Sequence, residues 1–256
     1  MQSFFVNKEQ LNIEKNEIEI IDDNFNHIRN VLRCNIGDKI KIVVKNEGKY
    51  LCVIEKILKE SIICNIENKI DENNESSIKI DIYQGLPKSD KMEYIIQKCT
   101  ELGAYSFIPV NFKRCIVKLN NKDEIKKITR WNKIAESAAM QSGREYIPRV
   151  EKIINLDQLC NIIPKYDIVI VAYEEEKNNY LKDVIKNRNI QNIALIIGPE
   201  GGLDKIEIEK LKYNGAKIIS LGNRILRTET TPIAMTSIIM YELGDMGGKK
   251  YEWNWR

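Results

Sequence analysis

From residue 76 onward, short and nearly all-apolar runs alternate with amphipathic stretches, and that alternation leaves few folds open. The runs at 78–83, 105–110, 167–173, 192–198 and 217–221 have the length of strands, and several are near-continuously apolar, as strands buried on both faces of a parallel sheet tend to be. Between them, 90–102 sets Met92, Ile95, Ile96, Cys99 and Leu102 at helical spacing. Asp90 with Glu93 three residues on opens that helix as a capping box, and Gly103 closes it. Residues 122–141, 178–187, 204–214 and 230–243 follow the same rhythm. The expected product is an α/β domain, with helices packed on a mainly parallel sheet.

Residues 1–75 read differently. Apolar residues at 4–6, alternating Ile18 and Ile20, and segments 40–44, 50–57 and 62–66 suggest a small β domain with a turn at Asn46-Glu47-Gly48. One helix interrupts it at 24–34, placing Phe25, Ile28, Val31 and Leu32 on one face, with Gly37-Asp38 ending the segment. The polar run 68–77 (NKIDENNESS) suits a linker. Two domains are therefore expected, 1–75 and 76–256.

Composition restricts the chemistry. The 256 residues are 43% hydrophobic, enough for one large core or two modest ones. No apolar run reaches the roughly 18 residues that span a bilayer, and the start lacks a basic segment followed by an apolar one, so a soluble, cytoplasmic protein is expected. The six cysteines form no CxxC pair and His27 is the sole histidine. Buried reduced thiols and no metal site are expected, and a Ser-His-Asp triad would have to use that one ring. Net charge is only +3, but residues 1–75 hold 11 Lys/Arg against 14 Asp/Glu, whereas 76–256 hold 29 against 23. A local basic face for nucleic acid is thus permitted without being demanded.

Neither G-x-G-x-x-G after a strand nor a complete Walker A is present, and G-x-S-x-G is absent as well. Instead Gly198-Pro199-Glu200-Gly201-Gly202 directly follows the run ending at Ile197 and precedes a helix begun by Asp204. Glycines there let backbone amides approach a ligand at a strand end, where α/β sheets bind ligands; a plain tight turn would use the same residues. The next strand ends in Leu221-Gly222-Asn223-Arg224-Ile225-Leu226-Arg227-Thr228-Glu229-Thr230-Thr231-Pro232. Two such loops on one sheet edge would form a pocket lined by amides, with Arg227, Thr228 and Glu229 at its mouth. Alternatively Arg224 and Arg227 are surface charges; in either case Thr230 is the expected helix cap.

GPEGG at 198–202 with LGNRILRTETT at 221–231 resembles the RsmE family, methyltransferases acting on N3 of a uridine in small-subunit ribosomal RNA. HIRNVLRCNIGD at 27–38, KCTELG at 98–103 and QSGR at 141–144 are similar to further family signatures, in the same order along the whole chain. The resemblance implies a PUA-like β-barrel for RNA, then a SPOUT-type domain with a carboxyl-terminal trefoil knot, which periodicity could not reveal. It further implies S-adenosylmethionine held by Gly198, Glu200, Gly201, Gly202, Leu221, Gly222, Leu226 and Arg227, a third loop near Glu174–Glu176, a homodimer, and 16S ribosomal RNA in the small subunit as partner. Ser3 and Asn223 depart from the family, which often has Arg and Pro there.

Methylating N3 of uracil needs the N3 proton removed and the resulting charge on the flanking carbonyl oxygens stabilised. Arg227 is the candidate for stabilisation. Glu229 is the nearest candidate base, with proton loss to water as the rival. His27, Arg29, Arg33, Arg114, Arg144 and Arg149 are candidate RNA contacts, and the tail Lys249-Lys250-Tyr251-Glu252-Trp253-Asn254-Trp255-Arg256 could stack on bases, join a dimer contact or fray. Two other functions fit the pattern less well. A non-catalytic RNA-binding assembly factor would not need the intact glycines, and a SPOUT enzyme acting on transfer RNA would not need the amino-terminal signature.

Overall fold

The computed structural model describes residues 3–45, 47–71, 74–186 and 189–248. The chain forms two compact units, Met1–Glu75 with Ala139–Tyr146, and Ser76–Ala138 with Ile147–Arg256.

In the first unit a six-stranded sheet runs in the order β1-β4-β5-β6-β3-β2. Its strands are β1 (Ser3–Val6), β2 (Leu11–Asn12), β3 (Glu17–Ile20), β4 (Lys39–Val44), β5 (Gly48–Ile57) and β6 (Ile62–Ile70). All neighbours are antiparallel except β1 and β4. Alternation puts Ile18, Ile20, Ile40, Ile42, Cys52, Ile54, Ile62 and Cys64 into one core with Phe4 and Ile28. The expected helix at 24–34 is shorter and irregular: α1 (Asp22–Asn26) passes into a wide turn over His27–Val31. Ile28 is buried, but Val31 and Leu32 face solvent at 65% and 40% exposure, because the wider turn breaks the 3.6-residue register that would have turned them inward.

The segment Ala139–Tyr146, placed by the sequence pattern in the second domain, belongs to the first unit. An ionic clasp explains the placement. Arg144 Nε lies 3.2 Å from both Glu75 carboxylate oxygens and its Nη2 2.6 Å from Oε2. The backbone N–H groups of Glu145 and Tyr146 also donate to Glu75 Oε1. The nearly buried Lys49 ammonium meets Glu145 at 3.1 Å. Arg144, a candidate RNA contact, is buried in this unit with its guanidinium paired to Glu75 and set over the Tyr146 ring. Arg144→Ala is expected to lower the melting temperature by roughly 5–10 °C, since it strands a sheltered carboxylate at a cost of about 2–3 kcal/mol. An unchanged thermal transition would show that the clasp contributes nothing.

The second unit carries seven parallel strands, in the order β10-β8-β7-β12-β11-β13 with β9 paired to β8. They are β7 (Lys79–Gly85), β8 (Ser106–Asn111), β9 (Arg149–Val150), β10 (Ile154–Asn155), β11 (Ile168–Ala172), β12 (Asn192–Ile197) and β13 (Lys217–Ile219). Helices α2 (Lys91–Glu101), α3 (Asn121–Ser142), α4 (Leu156–Ile162), α5 (Leu181–Val184), α6 (Lys205–Tyr213) and α7 (Thr230–Glu242) complete the α/β fold. The expected helix at 178–187 contracts to the four residues of α5: Glu176 instead accepts the N–H groups of 177–179, and Tyr180 bridges to Ser220 as extended chain. Asp90 stands at the amino end of α2 without a side-chain cap, so the expected capping box does not form there. The cysteines are free, and all but Cys34 are buried; burial pushes the Cys52, Cys64 and Cys99 thiols up to about 12.

Candidate functional site

Because the sheet is parallel, the carboxyl ends of β7, β12, β11 and β13 lie side by side, and the loops leaving them share one edge. The two glycine-bearing loops meet there. Thr228 Oγ1 donates to the Gly198 carbonyl at 2.7 Å. Fully buried Gln84, at the end of β7, donates through Nε2 to Thr228 Oγ1 at 2.9 Å and to the Gly85 carbonyl at 3.0 Å. Gly85 permits the close approach: a Cβ there would stand 2.6 Å from the Pro199 nitrogen. Gly202 and Gly222 both adopt positive φ, 69° and 101°, a region where glycine carries no steric cost. A Cβ on Gly202 would also stand against the Glu174 carboxylate, which brings the loop after β11 to the same place.

The glycine loop is anchored from behind. Asp204 caps α6 in a reciprocal box with Glu207. Arg114 Nη1 donates to the Gly201 carbonyl at 3.0 Å, with Nη2 3.7 Å from Asp204. Arg114, expected to touch RNA, therefore supports this loop, and its side chain remains 44% exposed.

Charge is concentrated at the mouth. Glu200 Oε1 accepts the Lys88 N–H and the Lys91 ammonium, both at 3.0 Å. Burial would raise the Glu200 carboxyl, but its own N–H, that of Lys88 and the Lys91 cation outweigh burial and hold it below the ordinary range. Lys91 also stands 3.2 Å from Glu229 Oε2. Arg227 points outward, 82% exposed, with Nη1 4.0 Å from Glu229 Oε1. Its carbonyl accepts the Thr230 and Thr231 N–H groups and the Thr231 hydroxyl, so the backbone is fixed while the side chain is exposed. Glu229 occupies the cap position of α7; Thr230 does not, contrary to expectation, because the Arg227 carbonyl already turns the chain. Leu221 and Leu226 are half-buried, whereas Gly222, Asn223 and Arg224 are exposed.

In the first unit His27 meets Phe4 edge-on at 6.0 Å, while Arg29 and Arg33 are exposed, Arg33 at a φ of 55°. Arg149 is exposed in the second unit. The tail from Lys249 to Arg256, and Asn46 of the expected turn, lie outside the described residues. Gln84, Gly85, Lys88 and Lys91 do structural work at the site that the motifs did not suggest. The one signal available was a polar, cationic Lys88-Ser89-Asp90-Lys91 directly after a strand end. Among the described residues no group of three or more His, Cys, Asp or Glu could hold a metal ion, and no helix is long and apolar enough to cross a membrane. The edge offers main-chain donors, the Glu174, Glu200 and Glu229 carboxylates, the latter two joined through Lys91, and the exposed Arg227 guanidinium.

A profile described as an RNA methyltransferase domain matches residues 74–240, and one described as an RNA methyltransferase PUA domain matches residues 20–67. Ribosomal RNA small subunit methyltransferase E of Bacillus subtilis is 38% identical over 248 residues, covering 94% of this chain and 97% of the relative. That of Mesomycoplasma hyopneumoniae is 33% identical, covering 91% and 96%. The crystal structure of the Neisseria gonorrhoeae protein of the same name, bound to S-adenosyl methionine, is 28% identical with a TM-score of 0.85, covering 96% of this chain and 99% of that one.

Proposed function

The chain belongs to the ribosomal RNA small subunit methyltransferase E family, an S-adenosylmethionine-dependent rRNA methyltransferase, and we propose that it methylates N3 of one uridine in 16S ribosomal RNA. The single observation that carries the site assignment is the tie from Gln84 through Thr228 to Gly198, which holds both loops at one sheet edge. The residues present suit the cofactor: a cation with a nucleoside body meets carboxylates at Glu174, Glu200 and Glu229, and amides beside Gly198, Gly201, Gly202, Leu221, Gly222, Leu226 and Arg227. Bound there, S-adenosylmethionine supplies an electrophilic methyl group.

The chain's own residues do the rest. The Arg227 fork faces the pyrimidine and stabilises charge on a uracil carbonyl oxygen as the N3 proton leaves. Glu229 takes that proton, or it orients Arg227 while water takes it. His27, Arg29 and Arg33 of the first unit, with Arg149 and the exposed part of Arg114 of the second, contact RNA.

Three finer features accompany this reading. A trefoil knot is supported by β13, paired to β11, and by Ser220 just after it, which meets Asn179–Tyr180 of the connection leaving β11. A PUA-like barrel is supported by the six-stranded sheet of the first unit packed on one core of its own. A homodimer is supported by α7, whose Ala234, Ile238 and Tyr241 share one face at i, i+4, i+7, with Ile238 and Tyr241 43% and 62% exposed. The site of action is the cytoplasm. Mass mapping of small-subunit RNA from a deletion strain is expected to show one methyl group missing from one uridine; unchanged methylation overturns the assignment. Calorimetric titration with S-adenosylmethionine is expected to give saturable heat, which a non-catalytic adaptor would not.

A further inference from the structure

We propose that Lys91 is a positioning residue for methyl transfer, its ammonium clamping Glu200 of the glycine loop to Glu229 of the RTET segment and so setting the spacing of the two cofactor loops. The proposal rests on those loops holding S-adenosylmethionine. Lys91 is the first residue of α2, which places a third element at the junction. Its Nζ lies 3.0 Å from Glu200 Oε1 and 3.2 Å from Glu229 Oε2. The same Glu200 oxygen accepts the Lys88 N–H at 3.0 Å, so the strand-to-helix turn before α2 and the glycine loop are joined twice.

Two facts separate this cation from an ordinary surface charge. It serves two carboxylates on different loops, and all three groups are sheltered, at 31%, 27% and 16% side-chain exposure for Lys91, Glu200 and Glu229. Its ammonium remains 31% exposed and its removal opens no apolar cavity, so loss of Lys91 should cost folding no more than about 1 kcal/mol. At the site its loss matters more, because two neighbouring carboxylates then lack their shared counter-ion and the loops carrying them are pushed apart. Hydrogen bonding to Glu200 first, and the neighbouring Glu229 carboxylate with it, hold the Lys91 ammonium above its ordinary range despite partial desolvation.

The test is steady-state kinetics of K91M, K91R and the parent enzyme on small-subunit RNA, with S-adenosylmethionine binding measured by calorimetry. K91M is expected to raise the KM for S-adenosylmethionine by about 10-fold or more, leave the KM for RNA within about 2-fold, and melt within about 3 °C of the parent. K91R, which keeps charge and reach, is expected to recover most of the affinity. In a double-mutant cycle, K91M on an E200Q background should cost less than on the parent, because one of the two clamped charges is already gone. Raising the salt concentration should weaken cofactor binding by the parent more than by K91M. Unchanged cofactor KM in K91M, or equal salt dependence of parent and variant, overturns the clamp. Failure of the parent itself to bind S-adenosylmethionine overturns the assignment of the loops instead. If K91M proves unstable, K91R and the salt dependence of the parent still decide: a parent whose cofactor affinity ignores salt has no electrostatic clamp.

Discussion

Replacing Arg227 by alanine is expected to lower kcat by roughly 10²- to 10³-fold, the loss seen when one preorganised donor is removed from a developing negative charge, with S-adenosylmethionine affinity kept within a few-fold. The structure separates the two effects. The Arg227 side chain is 82% exposed and its nearest charged neighbour, Glu229, is 4.0 Å away, so truncation removes no buried packing. The features that shape the loop belong to its backbone: the Arg227 carbonyl accepts two N–H groups and the Thr231 hydroxyl, and alanine keeps that carbonyl. The loop should therefore hold its conformation while losing the group that faces the pyrimidine. Arg227→Lys should recover only part of the rate, because an ammonium supplies charge without the planar fork. Single-turnover rates at saturating cofactor, set beside calorimetric affinities, check this. Equal turnover in variant and parent removes Arg227 from the reaction.

Gly85→Val is expected to abolish measurable S-adenosylmethionine binding and to destabilise the second unit by about 2–4 kcal/mol, at or above the usual range for overpacking. The added Cβ would stand 2.6 Å from the Pro199 nitrogen, 2.7 Å from Pro199 Cδ and 3.0 Å from the Gly198 carbonyl carbon. Two of those three atoms are main chain, so no rotamer relieves the clash. Either β7 or the glycine loop must move, and moving the loop breaks the hydrogen bonds that Gln84 and Thr228 make to each other and to Gly198. Gly215→Ala makes the matched control. Gly215 has a φ of 99° and nothing within 4 Å of its would-be Cβ, so it should cost about 1 kcal/mol of backbone strain and leave cofactor affinity unchanged. Denaturant unfolding and calorimetry on both variants give the comparison; tight cofactor binding by Gly85→Val would mean that the close approach of the strand end to the loop is dispensable.

The parts legible in the primary structure are those governed by short-range pattern. Strand β11, and β12 after its first residue, are runs of Ile, Val, Leu and Ala because both faces of a central parallel strand are covered, and continuous apolarity is the mark of that burial; β7 carries Lys79, Asp81 and Gln84 and shows that mark only at alternate positions. Asp204 begins α6 as expected, and there the structure adds a box with Glu207, whereas the box expected at Asp90 does not form. The glycine-bearing loops were recognisable because close approach and positive φ call for a particular residue type. Their meeting at one edge followed from parallel strands ending together.

What required the folded chain are partnerships between residues far apart in sequence. Glu75 and Arg144 are 69 positions apart, and nothing near either says that the second would be drawn into a clasp rather than displayed to RNA. Arg114 lies 87 positions from Gly201, and Lys91 reaches Glu229 across a still longer interval. The helix expected at 178–187 shortened for a similar reason: Ser220, brought alongside from a later strand, pairs with Tyr180 and holds it extended, and a tertiary bridge outweighs the weak local preference for helix. Local pattern thus specifies which segments become strands, helices and glycine turns, since those choices depend on burial period and backbone sterics within a few residues. Which charges end free at the cofactor edge and which are spent on holding it together is decided by where the fold sets distant side chains, because Coulomb and hydrogen-bond energies act through space and depend on neighbours that sequence separation does not reveal.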